Sequence, residues 1–160
     1  MMISSLIDIA PLSWKALGTT ILCGVLVGFE RQLRGKPVGI RTSALIVMGT
    51  YLFIAISTHA ANEASDPSRI IGQVVTGIGF LGAGVMMARE GTVVGVTSAA
   101  TIWVLAAIGV CIALLDELIA IKLSALVVGI LYGVDLLEAY STKLTRGVHA
   151  KLHQWRKNGK

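Results

Sequence analysis

Long apolar runs separated by short polar stretches make up most of the chain. Five of these runs predict helices: Leu12 to Phe29, Thr42 to Thr58, Ile70 to Ala88, Thr97 to Leu115 and Leu118 to Leu137. A helix that crosses lipid needs about 20 mostly apolar residues, and each run is near that length. The runs are continuous and do not alternate, so closed-barrel strands are excluded. An open chain in hydrocarbon must satisfy its own backbone, which leaves helices. Punctuation agrees with the divisions. Gly35-Lys36-Pro37 breaks the chain after the first run, Asp66-Pro67 reads as an N-cap followed by proline at the first helical position, and Thr97 is placed to cap the fourth run after a glycine-containing turn, Gly91 to Gly95.

Composition sharpens this picture. Of 160 residues, 54% are hydrophobic and 14% charged, whereas a soluble domain carries about 25% charged residues. The mean hydropathy is +0.77. The expected fold is an all-α integral membrane protein: a bundle of about five transmembrane helices over residues 1–140, followed by a basic amphipathic cytoplasmic tail, 141–160. The N-terminal residues have no basic n-region and read as retained. The formal net charge of +5 serves orientation, and no nucleic-acid partner is expected. Eleven of the 14 Lys and Arg residues fall on one side: Arg31, Arg34, Lys36 and Arg41 after the first run, Arg89 after the third, and six in the tail. The positive-inside rule then puts the N-terminus outside and the C-terminus in the cytoplasm. In the tail, Leu144, Val148, Leu152 and Trp155 share a helical face ringed by basic residues, as in a short interfacial helix on the cytoplasmic leaflet.

Candidate chemistry is sparse. Cys23 and Cys111 lie in different runs and form no CxxC pair. His149 and His153 have metal-binding spacing without a third ligand. Gly77, Gly79 and Gly82 spell G-x-G-x-x-G inside an apolar run with no strand before it, which excludes a dinucleotide site. No nucleophile, phosphate loop or zinc motif is present. The chain is therefore expected not to be an enzyme and to carry no cofactor. The glycines suit helix packing, because small residues let backbones approach in lipid. They are Gly24 and Gly28 in the first run, Gly77, Gly79, Gly82 and Gly84 in the third, and Gly129 and Gly133 in the fifth. Ionisable groups are missing from the middle of the first four runs, which disfavours an ordinary proton-coupled transporter. Polar residues gather instead at run ends. Glu30, Arg31, Gln32, Arg34, Lys36 and Arg41 form one cluster, and Asp66, Arg69 and Gln73 another. Both clusters read either as loop anchoring or as binding sites for an ion, a lipid headgroup or a partner.

Three segments together resemble the bacterial MgtC/SapB family of inner-membrane proteins. They are Gly28-Phe-Glu-Arg-Gln-Leu-Arg-Gly-Lys-Pro-Val-Gly-Ile-Arg-Thr42, Asp66-Pro-Ser-Arg-Ile-Ile-Gly-Gln-Val-Val-Thr-Gly-Ile-Gly-Phe-Leu-Gly-Ala-Gly84, and Val94-Gly-Val-Thr-Ser-Ala-Ala-Thr-Ile-Trp103 with Ala106-Ala107-Ile-Gly109. The resemblance implies a five-span inner-membrane bundle. It also implies a link to magnesium homeostasis, to growth in low magnesium and, in some pathogens, to virulence. Such proteins look like modulators of other membrane machinery. Positions matching the family's polar motifs are Glu30, Arg31, Arg41, Asp66, Arg69, Gln73, Thr97, Thr101 and Trp103. Several members carry a soluble C-terminal domain after the last span; a short form ending in the basic tail is expected here, and that domain's role does not transfer. Two functions are expected to compete. One is a modulator acting by helix–helix contact with itself, as a homo-oligomer, or with another membrane protein. The other is an oligomeric channel or transporter lined by the third helix.

Overall fold

The computed structural model describes residues 8–60, 67–89 and 92–140. The interfacial helix expected in the tail and the capping Asp66 lie outside them. Five helices are present among the described residues: α1 (Trp14–Leu33), α2 (Ile40–Ala60), α3 (Pro67–Gly84), α4 (Val96–Leu114) and α5 (Glu117–Tyr140). Three of these are long and apolar enough to cross a membrane: α2, α4 and the stretch Glu117–Leu137 of α5. Polar ends set the other two apart. α1 finishes on Glu30-Arg31-Gln32, and α3 starts on Pro67-Ser68-Arg69.

Boundaries differ from the sequence pattern on both sides of the connection between the third and fourth runs, and α1 runs on past Phe29 to Leu33. The third run was expected to stay helical to Ala88, but α3 ends at Gly84. Its last turn tightens through Val85 N–H to Gly82 O and Met86 N–H to Ala83 O bonds. A short antiparallel hairpin follows, β1 (Met87–Arg89) paired with β2 (Thr92–Val94), with Met87 opposite Val94. The β-branched Thr92-Val93-Val94 run favours an extended backbone over another helical turn. α4 is not capped by Thr97. Its N-cap is Gly95, in the left-handed region at φ 92° and without a side-chain cap. A Cβ there would stand 2.3 Å from the Val85 carbonyl oxygen, so glycine is required both for the turn and for its close approach to the end of α3.

The core lies where α1, α2 and α4 meet. α1 packs most extensively on α2, α2 on α4, and α5 lies against α1. Cys23 and Val27 of α1, Val47 and Ile54 of α2, and Leu105 and Ile108 of α4 are buried there. Lipid tails are as apolar as leucine, so the drive for this association is close packing. Glycine supplies it. A Cβ on Gly24 would lie 2.4 Å from Ala44 Cα, and one on Gly28 would lie 2.6 Å from Ile40 Cα. Gly109 plays the same part between α4 and α2, 2.6 Å from the Val47 carbonyl oxygen and 2.7 Å from Thr50 Cβ by the same measure. Gly109→Ala is accordingly expected to destabilise the bundle by about 1–3 kcal/mol, the usual cost of overpacking. A lowered thermal midpoint in detergent would register it. Buried hydroxyls turn back onto their own helices: Thr20 donates to Leu17 O at 2.7 Å and Ser124 to Ala120 O at 2.9 Å. They add no unsatisfied group to the interior.

α3 is the peripheral helix. Its main support is α4, and its contact with α2 is thin. Gly82 faces Ala99 of α4 with room to spare: a Cβ added there would lie 3.5 Å from the Ala99 carbonyl oxygen, an ordinary contact distance.

Candidate functional site

Two features stand out: a charged cluster at one end of the bundle and a groove beside α3. The cluster begins with α1 continuing as helix where the polar letters suggested a loop, so that Glu30 and Arg31 sit in its last turn. They are 7% and 3% exposed, a degree of burial rare for charged side chains. Helix spacing places Arg34 one turn beyond Glu30, with its Nε 2.6 Å from Glu30 Oε1. Arg34 also reaches across to α5. There its Nη1 pairs with Asp135 Oδ2 and its guanidinium lies 5.1 Å from the centre of the Tyr132 ring. Arg31 turns the other way and donates from Nη2 to Ser98 Oγ, in the first turn of α4, at 2.6 Å. Three helices are thereby tied together by two acids and two arginines whose formal charges cancel.

The ties are incomplete. The Arg34 contact with Glu30 is close in distance but is not an aligned hydrogen bond. Among the described residues, neither Glu30 oxygen nor Arg31 Nε has a hydrogen-bond partner. A buried carboxylate and a buried N–H left in this state demand polar company, and a water bridging the two would supply it. The cluster's backbone is also tense nearby. Val38, in the α1–α2 connection, has a φ of 69°, a region that β-branched residues seldom enter, and its carbonyl accepts a bond from Ser43 Oγ at 3.1 Å.

The other candidate residues are dispersed. Arg41 is exposed in the first turn of α2, and Arg69 is exposed in the first turn of α3. Thr97 is exposed. Thr101 is buried and donates back to the Thr97 carbonyl at 2.7 Å. Gln73 opens onto the groove, which runs between α2 and α3 with a volume of about 620 Å³. Leu45, Phe53, Val74 and Leu81 wall it, and Gly49 and Gly77 face it from opposite helices. Among the glycines, Gly24 and Gly28 carry the tightest helix contacts, whereas Gly77, Gly79, Gly84, Gly129 and Gly133 have nothing within 4 Å of where a Cβ would stand. No three His, Cys, Asp or Glu side chains among the described residues converge as a metal cage would.

The family model described as the MgtC family matches residues 17–140, which takes in all five helices apart from the first turn of α1. The chain belongs to the MgtC family. Among curated MgtC-family relatives, it is 50% identical over 99 residues to the Escherichia coli K12 protein named "Putative magnesium transporter YhiD", covering 58% of this chain and 46% of that one. It is 41% identical over 104 residues to "Protein MgtC" of Brucella abortus, 61% and 43% of the two chains. To "Protein MgtC" of Salmonella typhimurium it is 47% identical over 90 residues, 56% and 38% of the two chains. The chain thus spans about half the length of these relatives or less. No solved structure matches. Apolar helices and this kinship make the protein a membrane protein of the MgtC family.

The residues that sequence reasoning left aside in this MgtC-family chain are the partners of its arginines: Ser98, Tyr132 and Asp135. One signal was available for Asp135. It is an acid near the end of the fifth run, on the side where the basic loop after the first run also emerges.

Proposed function

We propose that this protein is a five-span, magnesium-linked bacterial inner-membrane protein that modulates other membrane machinery through helix–helix contact. Its N-terminus lies outside and its tail in the cytoplasm. The observation that carries this reading is the open side of α3. Gly72, Thr76, Gly79 and Ala83 recur at i, i+4, i+7 and i+11, a single helical face, and all four are exposed. Ile78 and Gly82, on a different face, are the positions turned to the rest of the bundle. A strip of small residues on a peripheral helix suits a second transmembrane helix. The buried charges support the same reading. They sit at one end of the bundle and neutralise one another, whereas a coupled pump wants ionisable groups along its path. The magnesium link comes from the family and from the transport named for YhiD. It extends to growth in low magnesium and, in pathogens, to virulence.

A channel formed by several copies around α3 is the second reading, favoured by Gln73 and Thr76 standing exposed beside the open glycines. Magnesium uptake into vesicles holding the purified full chain separates the two. The modulator reading expects uptake no faster than in protein-free vesicles. Uptake that Gln73→Leu abolishes would instead establish the channel.

A further inference from the structure

The groove between α2 and α3 lies on a different face of α3 from the small-residue strip, and no residue of the described chain fills it. Its walls are apolar: Leu45 and Phe53 on one side, Val74 and Leu81 on the other. The two helices touch only thinly, so the groove stays open to the surroundings along its side. In a chain of this kind those surroundings are lipid. We propose that the groove binds an acyl chain of an anionic phospholipid of the cytoplasmic leaflet, with its phosphate at Arg41.

Dimensions choose the occupant. From Thr42 to Ser57, the outermost α2 positions lining the groove, the helix rises about 22 Å. Spread over that length, about 620 Å³ gives a mean section of about 28 Å². A helix is a cylinder about 10 Å across, roughly 80 Å² in section, and does not fit wholly within the groove. A polymethylene chain does. One leaflet of hydrocarbon is about 15 Å deep, so a chain entering at Thr42 remains within the groove to the mid-plane.

Charge chooses the end and the headgroup. Arg41 immediately precedes Thr42 at the groove's mouth and shares a helical face with Leu45, one turn on. It is exposed and makes no ion pair among the described residues, unlike Arg34 in the neighbouring cluster. Lys36 is exposed in the connection just before α2. The first turn of α2 adds the positive end of its helix dipole. Among the described residues, the opposite end of the groove, at Ser57 and Ile70, offers Arg69 and His59, and the basic loop marks the Arg41 end as cytoplasmic.

Photolabelling tests the proposal. The full chain is placed in phosphatidylcholine vesicles that carry a trace of phosphatidylglycerol with a photoactivatable group midway along one acyl chain. Labelled residues are then mapped by mass spectrometry, and a matched phosphatidylcholine probe serves for comparison. The expected adducts concentrate on the groove, at Val74 and Phe53 above all. Gly77→Leu or Gly49→Leu should bring groove labelling down to that of lipid-facing positions such as Leu126. Neither glycine has an atom within 4 Å of its would-be Cβ, so both variants fill the groove from opposite walls without forcing a backbone apart. Arg41→Gln should lower labelling by the phosphatidylglycerol probe about five-fold, the worth of one basic side chain at an anionic surface, and leave the phosphatidylcholine probe unaffected. Labelling spread evenly over lipid-facing residues overturns the proposal. So does groove labelling indifferent to both leucine variants, or indifferent to Arg41→Gln. Cross-linking of the groove residues to another protein segment in place of lipid would show that a polypeptide occupies it.

Discussion

Gly24→Ala is expected to unseat α1 from α2 and to cost the protein about 3 kcal/mol or more of stability. The added methyl group would meet Ala44 Cα at 2.4 Å, Ala44 N at 2.6 Å and Ser43 C at 2.9 Å, all of them backbone. Overpacking usually costs about 1–3 kcal/mol when side chains can give way. Here the obstruction is a second helix, and relief requires the two axes to move apart. That motion would loosen the contacts of Cys23 and Val27, both fully buried at the same seam. Graded denaturant titration of the purified protein in mixed micelles, followed by circular dichroism, measures the effect. Gly129→Ala and Gly133→Ala are the controls, because each has open space around it. They should be neutral or stabilising by up to about 1 kcal/mol, the intrinsic helix preference of alanine over glycine. A Gly24→Ala protein as stable as the parent would contradict the α1–α2 seam described here.

Arg34→Gln is expected to have the second large effect, a loss of about 2–3 kcal/mol. Breaking a fully buried ion pair by removing one member costs about 3–5 kcal/mol, because the remaining charge is stranded. The figure is lowered here because the Arg34 and Asp135 side chains are 26% and 39% exposed, so water screens part of the interaction. Glu30 carries the penalty. Its side chain is only 8% exposed, and Arg34 is its one ion-pair partner among the described residues. Asp135 loses its partner in the same step, and α5 loses its charged tie to α1. The same titration tests this through a double-mutant cycle. Adding Glu30→Gln to Arg34→Gln should recover part of the loss, since the stranded Glu30 carboxylate is then gone, while the buried Arg31 keeps only Asp135 as its counter-charge among the described residues. If the double variant is as unstable as the sum of the single ones, the pair does not act as described.

The apolar runs made the helices legible because lipid imposes a length and a composition that few other constraints share. All five helices fall within a few residues of the expected runs. The misses have physical causes. Glu30 and Arg31 read as loop because they are charged, yet the helix continues through them, since Arg34, Ser98 and Asp135 from three helices complement them. Arg34 and Asp135 are 101 positions apart, and nothing local announces such a pair. The hairpin after α3 was hidden by Met87 and Ala88, which prolong the apolar run although the backbone has already left the helix. The glycines teach the clearest lesson. Gly24-x-x-x-Gly28 and Gly129-x-x-x-Gly133 are the same motif in letters, but the first is a seam and the second faces open space. Sequence gives a helix's faces and leaves open which of them meets a neighbour. Of the candidate site residues, Glu30 and Arg31 are brought together. Arg41 and Gln73 flank a groove that no motif had indicated, and Arg69 stands at the end of it away from Arg41.

The account rests on α3 offering its Gly72, Thr76, Gly79 and Ala83 face to another membrane helix. The most direct measurement is cross-linking of single-cysteine variants at Gly72 and Gly79 in intact bacterial membranes, with Cys23 and Cys111 replaced and a short thiol-to-amine reagent used. The account predicts discrete protein adducts at both positions and none at Leu126, on the exposed side of α5. Uniform failure to cross-link at Gly72 and Gly79, with both cysteines instead freely labelled by lipid-soluble reagents, would contradict it.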